Sequence, residues 1–425
     1  MSWSDARSVD AAGSEGEARP RVAIVGGPDV DARIPLIDRL RHRYRFRGIG
    51  SEPSLAARFS AAGLRYDHYP LPRGFDLGAD LRAARHLAGL LRRDPVDLVH
   101  CFDTKPAIFA RLASRFAGVP AIVGTLPGLG GLYASSSARV RRRRFLFDRL
   151  QFVASDLSSW TVFQNRDDRA LLVERGIVPA GRSSVIDGSG VDPARYDRTR
   201  LTDAESRRRA LAELGIVAGA LDGPILLYVG RWIHAKGILD LAHAVDRVRI
   251  RHPGVVWLAL GEPDGGPDSL DESEAEAVRR RAICPGRTDL VDRYLAIADA
   301  IVLPTRYREG IPRVLIEAAF AGCPIVTTDT PGCREVVDRG RAGWQIPPGD
   351  REALADALDT VLTRRATALA FAERARERAH RFFDLAVIAD RHLSLYDHLL
   401  RAAGIPIDRA SPTSISTLAR GGDAS

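Results

Sequence analysis

The chain has 425 residues, of which 45% are hydrophobic and 27% charged; this balance excludes a wholly disordered protein and predicts two or three globular domains. The formal net charge of +8 is small for this length, so it favours anionic partners without implying nucleic acid, and we predict no nucleic-acid partner. The cysteines at 101, 284, 323 and 333 show no CxxC spacing, which excludes a disulfide scaffold or Cys-rich zinc site and fits a reducing cytosol.

The two ends of the sequence differ from the part between them. Residues 1–20 contain acidic side chains and lack the apolar segment of a secretory signal, so we predict a disordered leader there. Residues 407–425 predict a disordered tail for the same compositional reasons. No apolar run approaches the ~20 residues that span a bilayer, and the ordered part is therefore expected to be a soluble, cytoplasmic protein.

Apolar strands that end in glycine alternate with helices in the first half of the chain. The run Val22–Val25 leads directly into Gly26 and Gly27, which is typical of a parallel strand buried on both faces. Further along, the pattern predicts a helix over 33–41, a strand over 43–51, and helices over 81–92 and 105–117, with strand 96–100 between the last two. This alternation predicts a doubly wound α/β domain over residues 21–215.

The same pattern starts again at residue 223. Strands are predicted over 223–231, 255–263, 298–305 and 324–332, with helices over 237–252, 271–282 and 313–321 between them. We therefore predict a second domain over 216–384, followed by a helical segment over 385–406 that is placed to pack back on the first domain. The fold class is α/β, with two Rossmann-like domains facing a central cleft where ligands bind at the strand ends.

The strongest chemical signal is a pair of glutamates. Glu309 precedes a helix that Pro312 opens, and Glu317 lies inside that helix. At 1.5 Å per residue the two carboxylates are about 10 Å apart, which is the reach of a sugar diphosphate plus a ribose. Backbone N–H groups at the helix start between them form a site for a diphosphate. The structural alternative is two solvent-exposed glutamates at the start of a helix.

Several segments together resemble a known family. They are REGIPRVLIEAAFAG (308–322), HCFDTKPAIFARLASRFAGVP (100–120), GTLPGLG (124–130), FQNRDD (163–168), IDGSGVD (186–192) and VGRWIHAKG (229–237). The sequence from about residue 21 to 402 is similar to the retaining GT-B glycosyltransferases of family four. It resembles most the subgroup that moves sugars from UDP-sugars to polyprenyl-diphosphate-linked acceptors in capsule, O-antigen or glycan assembly.

The resemblance implies four catalytic residues. Glu309 would position the transferred sugar, and His100 would touch the donor sugar. Arg231 and Lys236 would neutralise the diphosphate and the charge that gathers on the leaving UDP. Glu317 would accept hydrogen bonds from the ribose. The remaining donor contacts are expected at Gly230, Gly286, Arg287, Gly310, Ile311, Arg313 and Val314.

Acceptor contacts are expected in the first domain, at Gly26, Gly27, Arg33, Lys105, Gly128, Gly130, Asn165 and Arg166. Many relatives have Gly-Phe-Gly after the first glutamate, whereas this chain has Gly310-Ile311-Pro312. One phosphate-binding amide is therefore lost at Pro312, and we expect Arg313 to compensate with its side chain. No strand is followed by an Asp-x-Asp pair that would hold a metal, so we predict no metal and no cofactor.

The segment RVRRRRFLFDRLQFV (139–153) predicts a basic amphipathic helix. The segment begins with five arginines, Arg139, Arg141, Arg142, Arg143 and Arg144. They are followed by Leu146, Leu150 and Val153 on one helical face, with Phe145 and Phe152 flanking that face. Such a helix binds an anionic bilayer surface, and the enzyme would then be peripheral at the inner face of the cytoplasmic membrane. The structural alternative is an apolar stripe that packs inside the first domain.

Three other functions remain open at this point. Another two-domain UDP-sugar enzyme, such as an epimerase, would need no acceptor. A dinucleotide-dependent dehydrogenase is disfavoured because the first loop, VGGPDV, lacks the GxGxxG fingerprint. A non-catalytic scaffold could use the basic helix to recruit partners, but the glutamates and the two cations, Arg231 and Lys236, argue against it.

Overall fold

A computed structural model describes residues 19–72, 74, 76–134, 138–196, 203–216 and 223–407. Most of the predicted leader and nearly all of the predicted tail lie outside the described residues. Within this part of the chain, two separate parallel sheets form, flanked by helices. The predicted fold class, α/β with two Rossmann-like domains, is therefore confirmed.

The first sheet has seven described strands in the order β3-β2-β1-β4-β5-β6-β7, all parallel. Its central strands are buried along nearly their whole length because helices cover both faces, which explains their continuous apolar runs. The strands are β1 (Arg21–Val25), β2 (Arg45–Gly50), β3 (Arg65–His68), β4 (Leu98–Phe102), β5 (Ala121–Leu126), β6 (Trp160–Phe163) and β7 (Ser183–Val185). Its helices are α1 (Ile34–Leu40), α2 (Ala56–Ala61), α3 (Leu77–Arg93), α4 (Pro106–Phe116), α5 (Gly131–Ala134), α6 (Ala138–Asp156) and α7 (Arg166–Glu174).

The second sheet has six described strands in the order β10-β9-β8-β11-β12-β13. The order in which strands are added to the sheet reverses between β8 and β11, and ligands bind at such a point in doubly wound folds. The strands are β8 (Ile225–Val229), β9 (Val256–Leu260), β10 (Ile283–Gly286), β11 (Ala300–Leu303), β12 (Ile325–Thr328) and β13 (Trp344–Ile346). The helices after residue 203 are α8 (Ala204–Glu213), α9 (Ile238–Arg251), α10 (Glu272–Arg279), α11 (Val291–Ile297), α12 (Arg313–Phe320), α13 (Pro331–Val336), α14 (Arg351–Thr363), α15 (Arg365–Phe382) and α16 (Leu385–Ala402).

The last helix, α16, packs on the first domain. Its apolar residues, among them Ile388 and Leu395, share one core with β1 and α1. Asp397 accepts hydrogen bonds from Arg43 (2.7 Å) and from the hydroxyl of Tyr44 (2.6 Å). A carboxylate that is removed from water in this way needs such partners, and the pairing fixes the helix across the two domains.

The change from one domain to the other lies earlier than the sequence suggests. Val191, Tyr196, Leu211 and Ile216 belong to the hydrophobic core of the second domain, and Arg207 of α8 pairs with Asp299 at 2.8 Å. The described parts of this segment, 191–196 and 203–216, therefore pack with the second domain, although the sequence analysis places them in the first. The charged surface of α8 conceals this packing because only Leu211 of the helix is deeply buried.

All four cysteines of the sequence are free thiols. Of the helices in the described ranges, none is both long and apolar enough to cross a bilayer.

Candidate active site

The two domains touch where loop 127–130 of the first meets loop 307–310 of the second. The backbone N–H of Gly130 donates to the carbonyl of Arg308 at 2.9 Å. A Cβ atom on Gly128 would lie 2.5 Å from the nitrogen of Gly310, so only glycine allows this approach. A side chain at Gly310 would overlap the carbonyl of Pro127. The structure is therefore closed at the cleft, and Gly128 and Gly130 contact the second domain.

Glu309 and Lys236 form an ion pair at this contact. Lys236 Nζ lies 2.6 Å from Glu309 Oε2, and both side chains are 14% exposed. The other carboxylate oxygen, Oε1, is buried and has no hydrogen-bond partner among the described residues. A buried acceptor without a donor is costly, and such atoms in native structures often await a ligand. Glu309 Oε1 thus keeps the capacity to accept a hydrogen bond from a hydroxyl group.

Helix α12 begins at Arg313, directly after this loop. Arg313 Nε donates to Glu317 Oε1 at 2.9 Å, and the Glu317 side chain is only 9% exposed. Burial and the neighbouring Glu317 carboxylate raise the pKa of Tyr196, which also bonds to that carboxylate. Glu317 is therefore not a solvent-exposed helix-start residue, as the structural alternative required. Ile311 is buried and Val314 partly buried, while Arg313 remains exposed at the helix start.

Three glycines line the strand ends of the second domain. Gly230 donates its N–H to the carbonyl of Leu260 (3.1 Å), and Gly261 donates to the carbonyl of Gly286 (2.9 Å). Gly286 has φ of +82°, a conformation that favours glycine. Arg231 is 56% exposed and pairs with Asp264 at 2.7 Å. The predicted partner of the diphosphate thus already has a carboxylate neighbour, and Arg287 is exposed.

His100 does not lie in the open cleft. It is 0% exposed, and its ring nitrogens lie 2.6 Å from the Tyr396 hydroxyl and 2.6 Å from Thr125 Oγ1. Burial holds the pKa of His100 well below its usual value. Its two nitrogens join β4, β5 and α16, and the contact of His100 with the donor sugar stays a prediction.

Arg33 lines a small cavity with Thr125, Gln164 and His392. Its guanidinium stacks on the Phe102 ring at 4.7 Å. Within the described ranges no carboxylate lies at ion-pair distance from it, and burial lowers its pKa. Asp103 and Asp29 act on it only from beyond that distance, so the sheltered guanidinium is free to contact an anion.

The other residues predicted at the first-domain strand ends have internal partners. Gly26 donates its N–H to the carbonyl of Ile49 at 3.0 Å, and Gly27 donates to Asp103 Oδ2 at 3.2 Å. Lys105 pairs with the buried Asp80 at 2.5 Å and donates to the backbone carbonyls of Pro72 and Gly74. Its ammonium group therefore has internal partners, and its contact with the acceptor stays a prediction.

Charged side chains from both domains pair across the cleft. The bonded pairs are Arg308–Asp168 (2.8 Å), Arg334–Asp167 (3.0 Å) and Arg166–Glu335 (2.9 Å). Asn165 caps α7 by accepting the N–H of Asp168 at 2.8 Å, and its amide lies 3.4 Å from the carbonyl of Glu309. Asn165 and Arg166, predicted to touch the acceptor, therefore join the two domains.

The basic helix α6 exposes both charge and apolar surface. Arg141, Arg142 and Arg143 are exposed, and Arg144 stacks on Tyr133 at 5.4 Å; the side chain of Arg139 lies outside the described residues. The exposed apolar residues are Phe145 (63%), Leu146 (40%), Phe152 (48%) and Val153 (44%). Leu150, predicted on the same face as Leu146, instead packs with Phe147 in the domain core, because the helix buries its opposite side.

Among the residues that the structure describes, no group of three or more His, Cys, Asp or Glu side chains is placed to hold a metal ion. The sequence reasoning missed Asp168, Arg308, Glu335 and His392. Of these four, only Arg308 could have been suspected from the sequence, because it is adjacent to Glu309. The other three contact residues that lie more than a hundred positions away in the chain.

Comparisons with known proteins agree with this arrangement. A family model described as "Glycosyl transferase 4-like domain" matches residues 34–188, and one described as "Glycosyl transferases group 1" matches residues 223–364. The two matches fall on the first and second domain respectively. The fold and these matches define the class of protein: the chain is a glycosyltransferase with the GT-B architecture.

Individual relatives are more distant. The chain is 33% identical to glycogen synthase of Mycobacterium tuberculosis over 202 residues. This aligned region covers 44% of this chain and only 49% of that enzyme. It is 24% identical to the N,N'-diacetylbacillosaminyl-diphospho-undecaprenol alpha-1,3-N-acetylgalactosaminyltransferase of Campylobacter jejuni, over 74% of this chain and 81% of the relative. The crystal structure of Anabaena HepE in complex with UDP-glucose is similar in fold, with a TM-score of 0.72, 17% identity, and coverage of 89% of this chain and 100% of HepE.

Proposed function

We propose that this glycosyltransferase moves a hexose or N-acetylhexosamine from a UDP-sugar to a sugar on a polyprenyl diphosphate, with retention of configuration, in surface polysaccharide or glycan assembly. The observation that carries the proposal is the Lys236–Glu309 pair at the closed cleft, together with the buried Glu309 Oε1, for which the described residues provide no donor. The relative from Campylobacter jejuni, by its name, acts on a diphospho-undecaprenol acceptor, and HepE was crystallised with UDP-glucose.

The donor would lie along the second domain. Its diphosphate would bind at the start of α12, between Lys236 and Arg313, while Glu317 accepts from the ribose and Glu309 from the sugar. Arg231 would leave Asp264 to join the phosphates. These groups would also stabilise the negative charge that develops on UDP as the glycosidic bond breaks.

The acceptor would enter from the first domain. In the proposed retaining reaction, the acceptor hydroxyl attacks the anomeric carbon from the face that UDP leaves, and a phosphate oxygen of the departing UDP takes the hydroxyl proton. Closure of the two domains would exclude water, which would otherwise hydrolyse the donor. Arg33, which has no ion-pair partner among the described residues, is suited to a phosphate of the acceptor.

We further propose that no metal or other cofactor takes part, since side-chain cations and the helix start can neutralise the diphosphate. The basic helix α6 would place the enzyme at the inner face of the cytoplasmic membrane, where a polyprenyl-linked acceptor is anchored.

A donor panel tests this function. Each UDP-sugar is incubated with the protein and a membrane lipid extract, with and without EDTA, and both the UDP released and the glycolipid formed are measured by mass spectrometry. We expect one donor to yield a lipid-linked product, unchanged by EDTA. UDP-sugar converted to another UDP-sugar without lipid product would indicate an epimerase instead, and loss of all transfer with EDTA would contradict the metal-free site.

A further inference from the structure

Asp168, at the start of α7, lies inside the contact between the two domains and is only 1% exposed. Its Oδ1 accepts a hydrogen bond from Arg308 Nη2 at 2.8 Å, and its Oδ2 accepts one from the Asn165 amide at 3.0 Å. Asn165 also binds the backbone N–H of Asp168 at 2.8 Å. The carboxylate is therefore held in one orientation by its own domain, while its remaining charged bond goes to the other domain.

Arg308 is the residue immediately before Glu309. Its Nε is buried and has no partner in the described part of the chain, so the bond from Nη2 to Asp168 is the contact that anchors the guanidinium. Its carbonyl accepts from the N–H of Gly130 at 2.9 Å. First-domain atoms thus fix both the side chain and the backbone of Arg308, the residue next to Glu309.

The geometry on the other side of Glu309 is equally restrained. The amide of Asn165 lies 3.4 Å from the Glu309 carbonyl, and the nitrogen of Gly310 lies against Gly128. When the domains separate, these contacts break, and the loop 307–310 keeps only the contacts within its own domain, such as the Lys236–Glu309 pair and the bond from the Tyr307 N–H to Thr305 Oγ1 at 3.1 Å. A loop with fewer contacts samples more conformations, which misplaces a group that must be held within about 0.5 Å.

We propose that Asp168 is a positioning residue for Glu309: it acts through Arg308 and sets the donor-sugar loop only when the domains close. This inference rests on the proposed role of Glu309 as the group that holds the transferred sugar. UDP can then bind the open second domain, whereas turnover requires the closed form. The Asp168–Arg308 ion pair in this way couples sugar transfer to closure of the domains.

The neighbouring residue, Asp167, provides a matched control. It is 27% exposed and pairs at 3.0 Å with Arg334, which lies on α13 and outside the loop that carries Glu309. Asp167→Asn removes the same charge from the same turn of α7 and also weakens a contact between the domains. It leaves the anchor of Arg308 in place.

Turnover is the first measurement. For Asp168→Asn we expect kcat to fall tenfold or more, because the buried charge-assisted hydrogen bond to Arg308 is lost. The Kd for UDP, measured by calorimetry, should stay within about twofold because UDP contacts the second domain. Asp167→Asn should keep kcat within about threefold. Equal losses in both variants, or a loss confined to UDP affinity, would overturn the proposal.

A double-mutant cycle separates positioning from a general loss of stability. Arg308→Gln should reduce kcat as much as Asp168→Asn, and the double variant should be no worse than either single one, because the two residues act as one unit. Thermal melts accompany each variant. Additive losses in kcat, or losses that follow the melting temperature, would show that Asp168 does not act through Arg308.

A scattering measurement keeps the inference testable if no donor in the panel is turned over, which would count against the proposed function alone. With UDP present, the wild-type protein and Asp167→Asn should show the smaller radius of gyration of the closed form. Asp168→Asn should show a larger one. Identical radii for all three proteins would contradict the role of Asp168 in the closed form.

Discussion

At the scale of single residues, nearly all polar groups discussed at the candidate site have hydrogen-bond or ion-pair partners within the protein, and the few exceptions mark where a ligand is expected. Glu309 has one oxygen on Lys236 and one oxygen without a donor among the described residues, whereas His100 and Lys105 have internal partners. The sequence motifs predicted both Glu309 and Lys236 as site residues, and the structure brings their side chains into contact. The internal role of His100 could not be predicted, because its partner Tyr396 lies 296 positions away.

Removing either member of the central pair should nearly abolish transfer. For Glu309→Ala and Lys236→Ala we expect kcat/KM to fall by about 100-fold or more, since each removes a group that acts on the sugar or on the leaving diphosphate. The assay is release of UDP with the active donor. Glu205→Ala, in an exposed pair with Arg209, is the control and should behave as the wild type. Near-normal turnover of either site variant would refute the site.

At the scale of elements, the alternation of apolar strands and helices sufficed to predict the two sheets. It did not predict the packing of α8 on the second domain, because a charged helix with one deeply buried leucine has little apolar signal. For α6 the arginine cluster was correctly expected at the surface, but the apolar residues divide between surface and core. Such division depends on which side of the helix meets the sheet.

Helix α16 makes stability depend on pH through His392. This ring is 3% exposed, and its Nδ1–H donates to the carbonyl of Ile388 at 2.8 Å. Burial, with a smaller effect of the nearby cations Arg33 and Arg391, lowers the pKa of His392 to about 4. Because the unfolded chain takes up the proton near its ordinary pKa of about 6.5, the free energy of unfolding should fall as the pH drops from about 6.5 to 4.

Urea unfolding at several pH values measures this effect. The midpoint of the wild-type protein should decrease between about pH 7 and pH 5, and His392→Gln should decrease less because glutamine cannot take up a proton. An identical pH dependence in both proteins would show that His392 does not contribute.

The exposed surface of α6 predicts binding to anionic vesicles. The wild-type protein should sediment with phosphatidylglycerol vesicles at low salt but not with phosphatidylcholine alone. Replacing Phe145 and Phe152 by Ser, and Arg141, Arg142 and Arg143 by Glu, should remove this binding. The control variant replaces Arg247, Arg251 and Arg280 by Glu; these residues are exposed on the second domain, and it should still bind. Equal retention of all proteins would contradict a membrane role for α6.

At the scale of the whole molecule, two similar sheets meet at their strand ends, and the contact between them contains the candidate site. The sequence predicted each half because buried parallel strands carry a local apolar signal. The ion pairs that join the halves join residues more than a hundred positions apart, so no local pattern encodes them. The contact between the two domains is therefore seen only in the structure and could not be predicted from the sequence.

The most direct test of the account is a crystal structure of the protein with UDP. We predict the diphosphate between Lys236 and the start of α12 and the ribose at Glu317. Uridine diphosphate bound in any other place on the second domain, or in the first domain, would contradict the proposed donor site.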